Sequence, residues 1–234
     1  MSHDLTLLIL PTKNEHVTIH TVMEEVTALG LDHLHVLVVD DDSIDGTWRT
    51  YGTRWAADSE RNHLLRRCGP EKGRGYAMRE AYEWVVNNER DYTYVIEMAA
   101  NGSDDPAHIP AIIEALSGGA DVVVGERPAD EKAAAGPRRV QGMARWATGA
   151  SVGDVESGYR GFRKPVLAAV SPKLKATSHE IKTEVVAAAA KRGFKFASVP
   201  VTSRALPEAA YAQGGQAGAG KLIGLWMRRM IGGV

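Results

Sequence analysis

Short runs that are apolar nearly from end to end recur along this chain, each separated from the next by a stretch with helical spacing. Residues 5–10 (LTLLIL), 35–39 (HVLVV), 63–67 (HLLRR), 92–98 (YTYVIEM), 121–125 (DVVVG) and 196–201 (FASVPV) read as strands, the first stopping at Pro11. Residues 16–29, 47–55, 76–87, 109–116, 165–170 and 180–191 read as helices between or after them. A strand without polar alternation must be covered on both faces. Strands that alternate with helices build a parallel sheet. The expectation is therefore an α/β fold, Rossmann-like, with a mostly parallel central sheet and helices on both faces. Residues 1–204 are expected to form this domain, and 205–234 an Ala/Gly-rich segment followed by an amphipathic helix.

Composition removes several functional classes. The 234 residues carry 28 Lys+Arg against 29 Asp+Glu, a net charge of −1, so nothing supports binding to a nucleic acid through its phosphates. With 44% hydrophobic residues the chain has ample material for a core. The single cysteine, Cys68, excludes an internal disulfide and a Cys-rich metal site. The start of the chain is polar and has no signal-peptide pattern, and no window reaches the ~18–20 apolar residues of a membrane span. A cytoplasmic protein is expected. Residues 221–231 (KLIGLWMRRMI) mix apolar residues with Lys221, Arg228 and Arg229, which suits either a terminal helix packed on its own domain or peripheral contact with the inner face of a membrane.

In a parallel sheet, ligands bind beyond the carboxyl ends of the strands. Those ends carry Pro11-Thr12-Lys13-Asn14-Glu15, Asp40-Asp41-Asp42, Ala99-Ala100-Asn101 and Glu126-Arg127, four polar clusters that the topology brings to one rim. No Gly-x-Gly-x-x-Gly follows the first strand, which disfavours a nicotinamide enzyme. Gly215 and Gly220-Lys221 have the spacing of a phosphate loop, but Leu222 stands where a Mg-binding hydroxyl must be. A carboxylate after the second strand suits a nucleobase N–H or ribose hydroxyls, and arginines further along suit a diphosphate. Together these describe a nucleotide-sugar site.

Leu10-Pro11-Thr12-Lys13-Asn14-Glu15, the run 38–47 (VVDDDSIDGT), Lys72-Gly73-Arg74-Gly75-Tyr76-Ala77, 98–106 (MAANGSDDP), Val123-Val124-Gly125-Glu126-Arg127 and 154–163 (DVESGYRGFR) follow one another in an order that resembles the family 2 glycosyltransferases of GT-A fold. Glu184 and Val199-Pro200-Val201 extend the match, which covers about residues 5–204 and is most similar to the polyprenol-phosphate mannose synthases, the dolichol-phosphate enzymes among them. The resemblance implies an inverting transfer of a hexose, mannose first, from a GDP- or UDP-sugar to an acceptor, a polyprenyl phosphate among the candidates.

By the same resemblance, Pro11, Thr12, Glu15 and Asp41 contact base and ribose, Asp40 shapes their turn, and Lys72 and Gly73 belong to the same binding surface. Lys13 departs from the aromatic residue often found there. Arg127, Arg139 and Arg204 are the implied cations around the phosphates, and Asp154 or Glu156 would take a proton from a hydroxyl acceptor. The family's Asp-x-Asp, which holds Mg or Mn, reads Ala99-Ala100-Asn101 in this chain. Asn101 and Ser103 still offer neutral oxygens toward a metal, but no negative charge. Asp104 and Asp105 are expected to cap the helix that starts at Pro106, and Asp154 and Glu156 to bond nearby Arg160 or Arg163. Position 99 leaves open a natural weakly metal-dependent or inactive member, or an introduced alanine. A rival functional class is a non-catalytic nucleotide-sugar-binding module. A nucleotidyltransferase is disfavoured, because residues 5–25 lack its Gly-rich loop.

Overall fold

The computed structural model describes residues 4–55, 58–129 and 149–204. The elements run β1 (Thr6–Thr12), α1 (Thr18–Ala28), β2 (Leu34–Asp41), α2 (Thr47–Arg54), β3 (Asn62–Arg67), α3 (Arg74–Asn87) and β4 (Tyr94–Glu97). A 3₁₀ turn (Pro106–His108) leads to α4 (Ile109–Ser117), then β5 (Val122–Glu126), β6 (Arg160–Arg163), α5 (Lys164–Val170), α6 (Ile181–Lys191) and β7 (Phe196–Pro200). The strands form one sheet in the order β3-β2-β1-β4-β6-β5-β7. All neighbours are parallel except β6, which runs antiparallel to both β4 and β5.

Central strand β1 shows why these runs carry no polar alternation. Leu7 and Ile9 pack with α3, α5 and α6 on one face, while Leu8 and Leu10 pack with α1 and α4 on the other. Every β1 residue is buried. The expected stop at Pro11 is corrected: β1 continues through Thr12, with Pro11 opposite Val39 and Thr12 opposite Asp40 of β2. Leu5 and Ile9 send their carbonyls toward β4, so the odd positions face that side. Pairing with β4 ends at Ile9, and the missing N–H of Pro11 therefore breaks no ladder.

Strand β6 is a seventh strand that the apolar pattern does not reveal. It enters between β4 and β5, where α4 lies against it: a Cβ at Gly161 would come within 2.5 Å of Ile112 Cγ2. Glu97 and Arg160 stand opposite each other in the β4–β6 register, 0% and 1% exposed, with Arg160 Nη2 donating to Glu97 Oε2 at 2.9 Å. The Tyr82 hydroxyl of α3 donates to the other Glu97 oxygen, and Arg160 Nη1 donates to the Lys182 carbonyl at the start of α6. Two strands and two helices thus meet at one buried charge pair.

Removing one partner of such a pair leaves a buried charge without compensation, which costs about 3–5 kcal/mol. Arg160→Met should lower the unfolding free energy extrapolated from a urea titration by that amount, with the midpoint falling in proportion. The double variant Glu97→Leu/Arg160→Met should be less destabilised than the sum of the two single variants.

Candidate functional site

The loops after β1 and β2 are laced to each other. Asn14 N–H donates to Ser43 Oγ at 2.9 Å, and Ile44 N–H returns a bond to Asn14 Oδ1 at 2.9 Å. Glu15 N–H reaches Thr47 Oγ1 at 3.0 Å, while Asp45 accepts from the backbone N–H of both His16 (3.0 Å) and Thr47 (2.9 Å). Asn14 (φ 57°) and Asp42 (φ 59°) are left-handed, a conformation that Asn and Asp tolerate better than most residues. Asp40 shapes this turn as expected: Oδ1 accepts from Ser43 N–H at 3.0 Å, and Oδ2 is buried with no partner among the described residues.

Asp41 is the centre of the contacts on this side of the rim. Arg67 of β3 forms a buried ion pair with Oδ1, Gly73 N–H donates to Oδ2 at 2.8 Å, and Lys13 Nζ lies 3.6 Å away. Gly73 has φ +127°, and a Cβ there would stand 2.6 Å from the Thr177 carbonyl oxygen, so only glycine brings its N–H to Asp41. Lys72 pairs with Asp42 at 2.5 Å. Glu15 is half-buried, and Oε2 finds no partner among the described residues. Burial raises its pKa to about 7, against the opposing pull of the Thr12 hydroxyl and Arg74.

The other side of the rim is cationic. Arg127, just past β5, grips Asp154 with two bonds, Nε to Oδ2 at 2.7 Å and Nη2 to Oδ1 at 2.9 Å. The bond expected from Asp154 to Arg160 or Arg163 is therefore corrected to Arg127; Arg160 binds Glu97, and Arg163 donates to the Ala120 and Leu116 carbonyls. Glu156 is half-buried, and burial and the Asp154 charge raise its pKa. Asp105 caps the 3₁₀ turn by accepting from Ala107 N–H at 2.9 Å, as expected. Asp104 does not cap it: Oδ2 turns back to Ala99 N–H at 2.9 Å, and the carboxyl faces Lys182, Arg74 and Arg127.

Lys182 lies in the first turn of α6, and its pKa falls to about 7 through burial and the neighbouring Arg74 and Arg160. Glu184 holds this helix start by accepting N–H bonds from Lys175 (3.0 and 3.1 Å) and Ala176 (2.7 Å). Arg204 is drawn to Glu25 (2.7 and 2.8 Å) and Asp105 (2.9 Å) at the outer edge of the rim. Arg139 and the 221–231 segment lie outside the described residues.

The oxygens expected for a metal are poorly suited to one. Ala99 has none, and Asn101 Oδ1 already accepts from Ser103 N–H at 3.0 Å. The nearest carboxylate on this loop, Asp104, faces three cations. Among the described residues no group of three His, Cys, Asp or Glu side chains is placed to hold a metal. A divalent cation does not fit this donor set.

Arg67 and Lys182 carry no role in the sequence reading, and Asp104 carries there only that of a cap. A signal for Lys182 does exist, since a lysine in the first turn of a helix opposes the macrodipole.

A glycosyl transferase family 2 model matches residues 7–169. A polyprenol monophosphomannose synthase of Mycolicibacterium smegmatis is 29% identical over 206 residues, 84% of this chain and 76% of that protein. An undecaprenyl-phosphate mannosyltransferase of Micrococcus luteus is 29% identical over 205 residues, 84% of this chain and 82% of that protein. Among solved structures, the Mycobacterium tuberculosis glucosyl-3-phosphoglycerate synthase with Mn²⁺, UDP and glucosyl-3-phosphoglycerate superposes with a TM-score of 0.67 over 98% of this chain and 78% of that one, at 16% identity. The same enzyme with Mg²⁺ and UDP gives 0.68 over 97% of this chain and 80% of that one, at 17% identity. At such identity the likeness is one of fold, and it confirms the GT-A architecture. The chain belongs to glycosyl transferase family 2.

Proposed function

We propose that this chain is an inverting hexosyltransferase that moves a hexose, mannose first among the candidates, from a GDP- or UDP-sugar to a phosphate acceptor of the polyprenyl phosphate class. The observation that carries this reading is one rim with two chemically distinct halves. The buried Asp41 at the end of β2 is engaged by Arg67 and Gly73 N–H, and Arg127 just past β5 and Lys182 at the start of α6 supply the cations. Two relatives named for mannosyl transfer to prenyl phosphates support the choice of sugar and acceptor. No described helix is long and apolar enough to cross a membrane, so a lipid acceptor would be met at the membrane surface.

In this reading an acceptor oxygen attacks the anomeric carbon while the bond to the diphosphate oxygen breaks, and the electron pair leaves with the nucleoside diphosphate. A phosphate acceptor is already an anion at neutral pH and needs no base. A hydroxyl acceptor would hand its proton to Glu156, because Asp154 is held on both oxygens by Arg127. The cations opposite the leaving group stabilise charge that develops only as the bond breaks. The second reading, a nucleotide-sugar-binding module without turnover, is favoured by Ala99 and Asn101 standing where the resemblance places acidic residues.

Incubation with GDP-mannose, or with each UDP-hexose, and a short polyprenyl phosphate should release the nucleoside diphosphate and form a glycosyl lipid. Saturable binding of the donor with no product, unchanged in Ala99→Asp, would establish the binding module instead.

Glu15 gives a pH signature. Its pKa of about 7 means that a carboxylate accepting from the nucleoside is mostly absent a unit below that value and mostly present a unit above it. Donor binding should tighten about tenfold from about pH 6 to pH 8, and Glu15→Gln should flatten that profile. The raised pKa has the opposite effect on the free protein. The group's contribution to stability is full below about 4.5 and is lost as pH rises through about 7, so Glu15→Gln should raise Tm relative to the parent at pH 8.

A further inference from the structure

Where the resemblance places the acidic pair of a metal site, this chain has Ala99 and Asn101, and Asp104, which accepts from Ala99 N–H, lies in the field of Lys182, Arg74 and Arg127. A Cβ built on Gly158 would lie 3.3 Å from Lys182 Nζ and 3.6 Å from Arg74 Nη2, so the two cationic ends converge over one backbone position. The charges of both act on Asp104, the carboxylate folded back onto Ala99 N–H at 2.9 Å. Arg127 and Arg160 each have their own carboxylate, Asp154 and Glu97. The charges of Arg74 and Lys182 act instead on Asp104, that of Arg74 also on Glu15 and that of Lys182 also on Glu156. Arg74 Nε is buried with no partner among the described residues. Buried cations without full compensation are costly, and a multiply charged anion would relieve that cost where a divalent cation would add to it.

We propose that Lys182 and Arg74 take the electrostatic place of a divalent metal against the diphosphate of a nucleotide sugar, so that this chain binds the nucleotide without metal. The inference rests on the nucleotide-sugar reading above and specifies how that site holds its phosphates. Lys182 is fixed for this task from three directions. Its carbonyl is held by Arg160, its helix start is tied down by Glu184, and the glycine at 158 leaves its ammonium room. An adjacent diphosphate favours the charged form of Lys182, whose ammonium is then a compact point charge, and an arginine offers a fork of donors, so together they suit the oxygens of two linked phosphates.

The test is calorimetric titration of the full chain with GDP, UDP and the two parent nucleosides, each with EDTA and with Mn²⁺. The expected result is that GDP or UDP binds in EDTA with an affinity that Mn²⁺ changes less than about twofold. Lys182→Ala should weaken diphosphate binding about 10- to 100-fold, the range for loss of a charge-assisted bond, and leave nucleoside binding unchanged. Lys182→Gln, which keeps the length of the stem, should behave alike, with near-native CD and Tm showing that it folds. In Ala99→Asp/Asn101→Asp/Lys182→Gln, with the acidic pair installed and the cation removed, binding should come to depend on Mn²⁺. Parent binding that requires Mn²⁺, or binding indifferent to Lys182, overturns the proposal while the nucleotide-sugar reading stands. No binding of nucleotide or nucleoside under either condition overturns both.

Discussion

The buried pair of Glu97 and Arg160 is the constraint on which the architecture turns. A charged strand residue with no exposure is tolerable only when its partner is delivered with good geometry and its remaining lone pairs are filled. Here the partner comes from the one antiparallel strand, and Tyr82 fills the second oxygen. Because β6 is the bridge between the β3-β2-β1-β4 block and the β5-β7 pair, the ion pair sits at the seam between them. The second arm of the same guanidinium holds the Lys182 carbonyl, so the charge that closes the core also sets the position of the helix that presents Lys182 to the cleft. Stability and site geometry are coupled through one side chain.

From that seam the rim divides by charge. On the nucleoside side, carboxylates are arranged as acceptors, but not as bare anions: Arg67 and Gly73 N–H already engage Asp41, and burial biases Glu15 toward its neutral form. With Arg67 and Gly73 N–H already on Asp41, its charge repels an anionic nucleotide less while lone pairs remain for base and ribose. Across the cleft the cations are held by carboxylates of different commitment. Arg127 is matched two bonds to one carboxylate, a rigid arrangement. Arg74 and Lys182 are not so matched, and their charge remains directed at the cleft. A net charge of −1 for the whole chain conceals this division.

The fold was legible because its signal is periodic. Six strands and six helices follow from apolar runs and helical spacing, with ends displaced by a few residues at most. Strand β6 was not, for a physical reason: Arg160, Gly161 and Arg163 answer to an ion pair, a close helix approach and backbone carbonyls, none of which produces an apolar run. The place of the candidate residues on the rim was legible where a motif stands at a strand's end, as at Asp40, Asp41 and Arg127. It was hidden where the partner is remote in sequence. Asp41 depends on Arg67 and Gly73, and Asp154 depends on Arg127. Glu97 did leave a trace, a lone carboxylate in the run Tyr94-Val95-Ile96-Glu97-Met98, which only a buried cation explains.

Lys182 shows what kind of information remains outside local pattern. No motif or apolar pattern marks it; the one local trace is a cation at the end of a helix where the macrodipole disfavours it. It makes sense only together with Ala99 and Asn101, more than 80 positions earlier in the chain. A metal site needs negative ligands and a mobile positive ion, whereas a fixed cation needs the ligands' charge removed so that it is not neutralised. Acidic residues at 99 and 101, on the loop whose Asp104 already lies in the field of Lys182, would weaken the positive field that a diphosphate would meet. Neutral residues at those two positions are therefore the condition under which a lysine at 182 can act on an anion, and the apparent loss at the rim and the cation across from it form one electrostatic unit.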